Sequence, residues 1–334
     1  MAAPLILALA LFSGTVPVAG ADLLPALGLV DASAAGNEVA VTVLRDLRIP
    51  RIALACLLGA ALAISGAAMQ GLFRNPLADP SVIGVSSGAS LGASLAIVFG
   101  ASLVASIQPL YLVTAGAFFG GLLVTWLVYW LAGRQSDDAG RGISIVTLLL
   151  LGIAVTALAA AVNNLLTVFA DNELLRRISL WNMGSLGAAN YPQLLLAVLL
   201  LTPVVVWLLR LARPLDALLL GEVEAGQLGV DVDSLKRQVI ALVALAVGVA
   251  VALGGVIAFV GLVVPHIVRL LIGPAHRALL PLCLLAGALL LVLADTLARS
   301  LLAPAEIPIG VLTAMVGAPL FAALLLRRND YVLR

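Results

Sequence analysis

The chain has 334 residues, 63% of them hydrophobic and only 10% charged, with a formal net charge of +1. A soluble domain carries about 25% charged residues, so the composition excludes an ordinary soluble fold. The near-neutral charge gives no reason to expect a nucleic-acid partner. Cys56 and Cys283 both lie in apolar runs and read as core residues, not as a disulfide or metal site.

A bilayer core of about 30 Å needs roughly 20 apolar residues per helix. Lipid offers no hydrogen bonds, so spans must be helices or a closed barrel, and barrel alternation is absent. The expected fold is an all-α integral membrane protein. Its predicted spans lie at 3–20, 52–72, 82–100, 109–132, 143–169, 193–211, 238–257, 259–273, 279–298 and 309–326, ten in all. The first run, followed by AGA, has the look of a signal peptide but lacks a basic n-region, and is expected to be a retained helix. RIPR (48–51) leads into the second span, and RNPLADP (74–80) leaves it. Pro76 and Pro80 stop the helix there.

Asn163 and Asn164 fall inside the fifth span, where amides commonly hydrogen-bond helix to helix. The segment DNELLRRISLWNMGSL (171–186) predicts a short helix beyond it, with Arg176 and Arg177 able to pair with Asp171 or Glu173. LGEVEAGQLGVDVDSLKR (220–237) is the longest polar loop on its side of the membrane and holds the only lysine, Lys236. A short helix is expected over 218–228. Gly229 suits the left-handed position after it, Val230 supplies the following apolar residue, and Asp231 or Asp233 can cap the next span. GGVIAFVG (254–261) splits spans seven and eight. His266 and His276 follow, and Asp295 stands one turn before Arg299, as an i,i+4 pair.

Arginine and lysine fix orientation. With the N-terminus inside, twelve basic residues lie inside and six outside, so 220–237 is cytoplasmic. No GxxxxGK[ST] phosphate loop is present, so the chain carries no ATPase of that type. An ion-coupled carrier would show acids or histidines deep within its helices; here most acids lie in loops or at span ends. That carrier class and a channel remain the rivals to a transporter driven by an external engine.

Several separated strings resemble the FecCD-type permeases, the membrane subunits of ABC importers for haem, ferric siderophores and cobalamin. They are RIPR with GAALAISGAAMQGLFRNPLADPSVIGVSSGA (59–89), WNMGSL (181–186), LGEVEAGQLGV (220–230), GGVIAFVGLVVPHIVR (254–269), ADTLAR (294–299) and EIPIGVLTAMVGAPLF (306–321). The resemblance runs from about 43 to 326. It implies a single permease domain over 1–334, ten helices per copy, a homodimer in the cytoplasmic membrane, two ATPase subunits below and a substrate-binding protein outside. ATP would be hydrolysed on the partner. Haem or another iron chelate would be cargo, with no resident cofactor or metal.

The resemblance further implies that 214–237 is the ATPase-coupling loop, through Leu220, Gly221, Glu222, Glu224, Ala225, Leu228 and Gly229. It makes Arg48, Arg51 and Arg299 docking contacts for acids of the binding protein; the alternative is interfacial anchoring. Asn163 and Asn164 would line the pathway if they face the twofold axis, and Arg176 and Arg177 would guide an anionic chelate. His266 and His276 are structural residues or transient ligands at the exit.

Overall fold

The computed structural model describes residues 2–14, 16–30, 37–103, 108–134 and 144–329, and these are helical wherever they are regular. Arg141 and Arg334 of the charge count lie outside the described residues. In chain order the helices are α1 (Ala2–Phe12), α2 (Leu23–Ala26), α3 (Glu38–Thr42), α4 (Ile49–Leu72), α5 (Val85–Leu103), α6 (Pro109–Arg134), α7 (Ile145–Phe169) and α8 (Asn172–Asn182). The second half holds α9 (Tyr191–Arg210), α10 (Ala212–Leu218), α11 (Glu222–Gln227), α12 (Val232–Gly254), α13 (Val260–Ile272), α14 (His276–Ser300) and α15 (Ile309–Asn329). Among the described residues, six helical segments are long and apolar enough to cross a membrane, and four shorter apolar helices accompany them.

The centre is α4. Its sequence, rich in Gly, Ala and Ser, presents little bulk, and most of its residues from Ile52 to Leu72 are buried. Small side chains let backbones approach closely, the main source of helix association where lipid removes the hydrophobic drive. Helices α9, α12, α13 and α14 all pack on α4. Helices α5 and α6 form a second tight pair, with α7 on its flank.

Two boundaries differ most from the sequence expectation. The first helix ends at Phe12, not near residue 20, so its eleven residues rise only about 16 Å. Gly14, at φ +146°, and Pro17 end the apolar run as helix. The second span starts early: the helix is continuous over Glu38–Leu72, so RIPR lies within it and not before it. A π turn at Val43–Arg48 shifts the hydrogen-bond register just ahead of Pro50, which has no N–H to donate.

Candidate functional site

The polar loop is a braced structure. Where one helix was expected over 218–228, α10 and α11 form instead, separated at Gly221, which takes φ +139°. Gly229 adopts φ +86°. Its N–H donates to Gly226 O at 3.0 Å, and Val230 N–H donates to Ala225 O at 3.0 Å. This pair of bonds is a Schellman stop, which needs a left-handed residue at that place. Asp231 Oδ1 then accepts from Ser234 N–H at 2.9 Å and caps α12. Lys236, only 6% exposed, reaches back from α12 to Glu222 at 2.7 Å. Ala225 is fully buried, whereas Leu220, Val223 and Leu228 are 64–70% exposed. The loop therefore holds three apolar side chains outward on a fixed frame. Val223 was not among the expected contacts; its position between two glutamates gave the only hint. Glu224 is exposed and Glu222 half-exposed.

At the opposite end of α4 the three arginines expected to receive a binding protein are turned inward. Arg48 is 5% exposed and donates to Leu11 O at 2.5 Å and Val16 O at 2.7 Å. Arg299 donates to Ser13 O at 2.8 Å and to Ala10 O. These carbonyls lie at and just past the C-terminal end of α1, where a helix leaves acceptors unsatisfied and favours positive charge. Arg51 is shared by two acids. Its Nε and Nη2 reach Asp295 at 2.9–3.0 Å, and Nη1 and Nη2 reach Glu306 at 3.0 and 2.9 Å. Asp295 is 2% exposed, and its expected partner Arg299 stands at 3.8 Å. The nearer partner, Arg51, lies far away in sequence, where spacing gives no signal. Glu306 carried one signal, as the sole acid between Asp295 and Asp330.

The hydrogen bond from Arg51, and then its charge, hold the Glu306 carboxyl below the usual glutamate range against opposing desolvation. A lowered folded value means that this contribution to stability is complete above the unfolded value of roughly 4.3 and is lost as pH falls through the folded value. Glu306→Gln should therefore be less heat-stable than the native chain at pH 7. Melting curves in detergent should show the difference shrinking below pH 4. A gap that stays constant with pH would mean that charge at Glu306 contributes nothing.

Three of the sequence strings meet near these arginines. Gly184 and Ser185 of WNMGSL bond to Ile309 N–H (3.1 Å, through Gly184 O) and to Gly254 O (2.9 Å, from Ser185 N–H). Gly310 N–H donates to Met183 O at 3.0 Å. WNMGSL thus joins the end of α12 to the start of α15.

The remaining expected residues are dispersed. His276, fully buried, has Nδ1 2.9 Å from Asp216 Oδ1, and its backbone N–H donates to the same oxygen at 2.5 Å. Asp216 of α10 thereby caps α14, and the ring lies against Gly71 of α4. His266 packs edge-on to Phe321 at 6.4 Å. Neither ring presents an open coordinating face to solvent. Asn163 is half-buried on α7 and Asn164 exposed; α7 packs chiefly on α5 and α6, away from α13 and α14. Arg177 pairs with Glu173 at 2.5 Å, one helical turn away, as one of the two readings anticipated, and Arg176 is exposed. Among the described residues, no group of three His, Cys, Asp or Glu could hold a metal.

The sequence matches the FecCD transport family over residues 3–327. The chain belongs to that family. This FecCD chain is 47% identical over 285 residues to the hemin transport system permease protein HmuU of Yersinia pestis, covering 85% of this chain and 83% of that one. It is 43% identical over 287 residues to the vitamin B12 import system permease protein BtuC of Vibrio parahaemolyticus, covering 86% and 83%. Among solved structures it resembles an inward-facing metal-chelate type ABC transporter, with TM-score 0.84 and 35% identity over 97% of this chain and 96% of the other. The FecCD chain is therefore a multi-pass permease of the ABC-importer type.

Proposed function

We propose that this chain is the permease subunit of a binding-protein-dependent ABC importer that carries haem, or a similar iron chelate, across the cytoplasmic membrane. Two copies would form the pathway. Two ATPase subunits would dock on the 214–237 loop, with both chain termini on that same side, and a substrate-binding protein would dock on the other face. The observation that carries the coupling role is the outward display of Leu220, Val223 and Leu228 on a loop fixed by the Gly229 stop and the Lys236–Glu222 pair. Apolar side chains exposed on a rigid polar loop suit insertion into a groove on a partner. For the cargo, the support is the higher identity to the hemin permease than to the B12 permease. Of the three expected docking arginines, Arg51 alone has a surface partner, so an acid of the binding protein would reach it by competing with Glu306.

The test is reconstitution in lipid with the cognate ATPase and binding protein. Haem-loaded binding protein should stimulate ATP hydrolysis, and inactivating the ATPase site should abolish uptake. Stimulation by cobalamin-loaded protein alone would replace the haem reading, and uptake that survives would favour an ion-coupled carrier. Gly229→Val forces a β-branched residue into left-handed geometry, at about 1–2 kcal/mol, or roughly a tenfold change in the population of the folded stop. This variant and Val223→Glu should reach the membrane normally yet lose stimulated hydrolysis. Full stimulation in both would reduce the loop to a solvated connector.

A further inference from the structure

Two cavities that take no part in the polar loop or the arginine network adjoin one another. The first, about 480 Å³, lies where α8, the start of α9 and the end of α12 meet the α5–α6 pair; its wall includes Arg177, Trp181, Ser185 and Gln193. The second, about 940 Å³, is an open and almost wholly apolar groove between α5 and α6, lined by Leu95, Phe99, Phe119, Leu123 and Trp126 among others. Ala96, Gly100 and Leu112 line both. The two spaces are thus a polar-ended pocket opening into an apolar channel.

Length and position identify the occupant. Along α6, Leu112 to Trp126 covers about 21 Å at 1.5 Å per residue, more than the roughly 15 Å that one leaflet contributes to a bilayer core. Phe119, Leu123 and Trp126 are exposed on a helix apolar enough to span, so the groove opens towards lipid and not water. The polar end lies beside α8, with Arg177 and Trp181 one turn apart on the same face, the pairing of cation and indole found at a headgroup boundary. Arg177 has donors beyond the one given to Glu173. Gln193 is 5% exposed, and its Oε1 has no hydrogen-bond partner among the described residues. A ligand that fits all this has an acyl chain, a negative charge for Arg177 and a nearby donor for Gln193.

We propose that this composite cavity binds a phosphatidylglycerol molecule. One acyl chain lies in the α5–α6 groove, the phosphodiester sits against Arg177, and the headgroup glycerol hydroxyl donates to Gln193 Oε1 after a small rotation of the amide. Arg177 here serves a lipid, in place of the cargo-guiding role that the sequence resemblance implied. Its consequence is that lipid composition bears on how α8 and the α5–α6 pair are held together.

The full-length chain, purified in mild detergent from mixed vesicles of phosphatidylglycerol and phosphatidylcholine, should retain one phosphatidylglycerol per copy by native mass spectrometry. Retention should exceed that of phosphatidylcholine by roughly tenfold, the scale of one charge-assisted hydrogen bond. Arg177→Gln should abolish the preference while leaving acyl occupancy, and Ala96→Trp, which plugs the neck shared by the two cavities, should remove the lipid. A phosphatidylglycerol carrying a photoreactive chain terminus should label α5 or α6 between Leu95 and Trp126 without any substitution, which decides the matter if Ala96→Trp fails to fold. Equal retention of both lipids, an unchanged preference in Arg177→Gln, or labelling elsewhere would overturn the proposal. So would displacement of the lipid by free glycerol phosphate, which would show an anion site without an acyl channel.

Discussion

Arg51→Met should unfold the end of the helix bundle opposite the polar loop, with a loss of about 3–5 kcal/mol, the range for removing one partner of a buried ion pair. Arg51 is the sole group within 3.0 Å that neutralises Asp295 in the described network, since Arg299 stands at 3.8 Å. Without it a carboxylate that is 2% exposed faces a low dielectric with a distant counter-charge. The expected readout is a fall in membrane abundance and a marked drop in melting temperature in detergent. Asp295→Asn in the same chain should recover most of the loss, because it removes the stranded charge. Arg48→Met should cost a comparable amount, two hydrogen bonds from a charged donor at about 1.5–3 kcal/mol each, but Asp295→Asn should not recover it, because what Arg48→Met leaves are neutral carbonyl groups near the end of α1. A native melting temperature for Arg51→Met, or no rescue by Asp295→Asn, would show that the network does not carry stability.

What could be read from the sequence was what local chemistry decides. Apolar length and scarce charge gave the helical membrane class. Gly229, Val230 and Asp231 gave the stop and restart of the polar loop, because capping involves neighbours within a few residues. The i,i+4 neighbours Glu173 and Arg177 were legible for the same reason. Arg51 with Asp295 and Glu306, and Asp216 with His276, were not, since each joins residues far apart in the chain. The direction in which Arg48 and Arg299 point was equally hidden. A charged residue near a span end can snorkel outward or cap another helix, and only the position of α1 chooses between them. That position was itself obscured, because hydropathy continues past Phe12 to Val18 while Gly14 and Pro17 end the helix.

The same contrast sets the terms for the loop. Glu222 is half-exposed. Its partner Lys236 is nearly buried, so loss of Glu222 removes one partner of a nearly buried cation at the junction of α11 with α12, whereas loss of Glu224 does not. The frame that displays Val223 is thus tied into the span that follows it. On the other side, Asp216 ties α10 to α14 and, through the His276 ring, to α4. Force applied to the loop has short covalent and hydrogen-bonded routes into two of the helices that pack at the centre.

Gly66→Ala is the sharper test of that centre, because two physical effects predict opposite signs. Replacing glycine by alanine inside a helix should stabilise it by about 0.5–1 kcal/mol through reduced backbone entropy. At Gly66, however, an added Cβ would stand 1.7 Å from the carbonyl oxygen of Gly261, with the carbonyl carbon at 2.5 Å. These are backbone atoms of α13, so no side-chain rotation relieves the clash; α4 and α13 must separate. Overpacking of this kind costs typically 1–3 kcal/mol and occasionally more, and a rigid backbone neighbour places Gly66 at the upper end. The melting temperature should therefore fall. Ala63→Gly, also fully buried on α4, serves as the comparison: it loses helix propensity and a methyl group without forcing any separation. If Gly66→Ala melts at or above the native temperature, α4 and α13 do not meet at this contact. If it melts well below, the close approach of two glycines fixes how α13, and the His266 it carries, sits against the core.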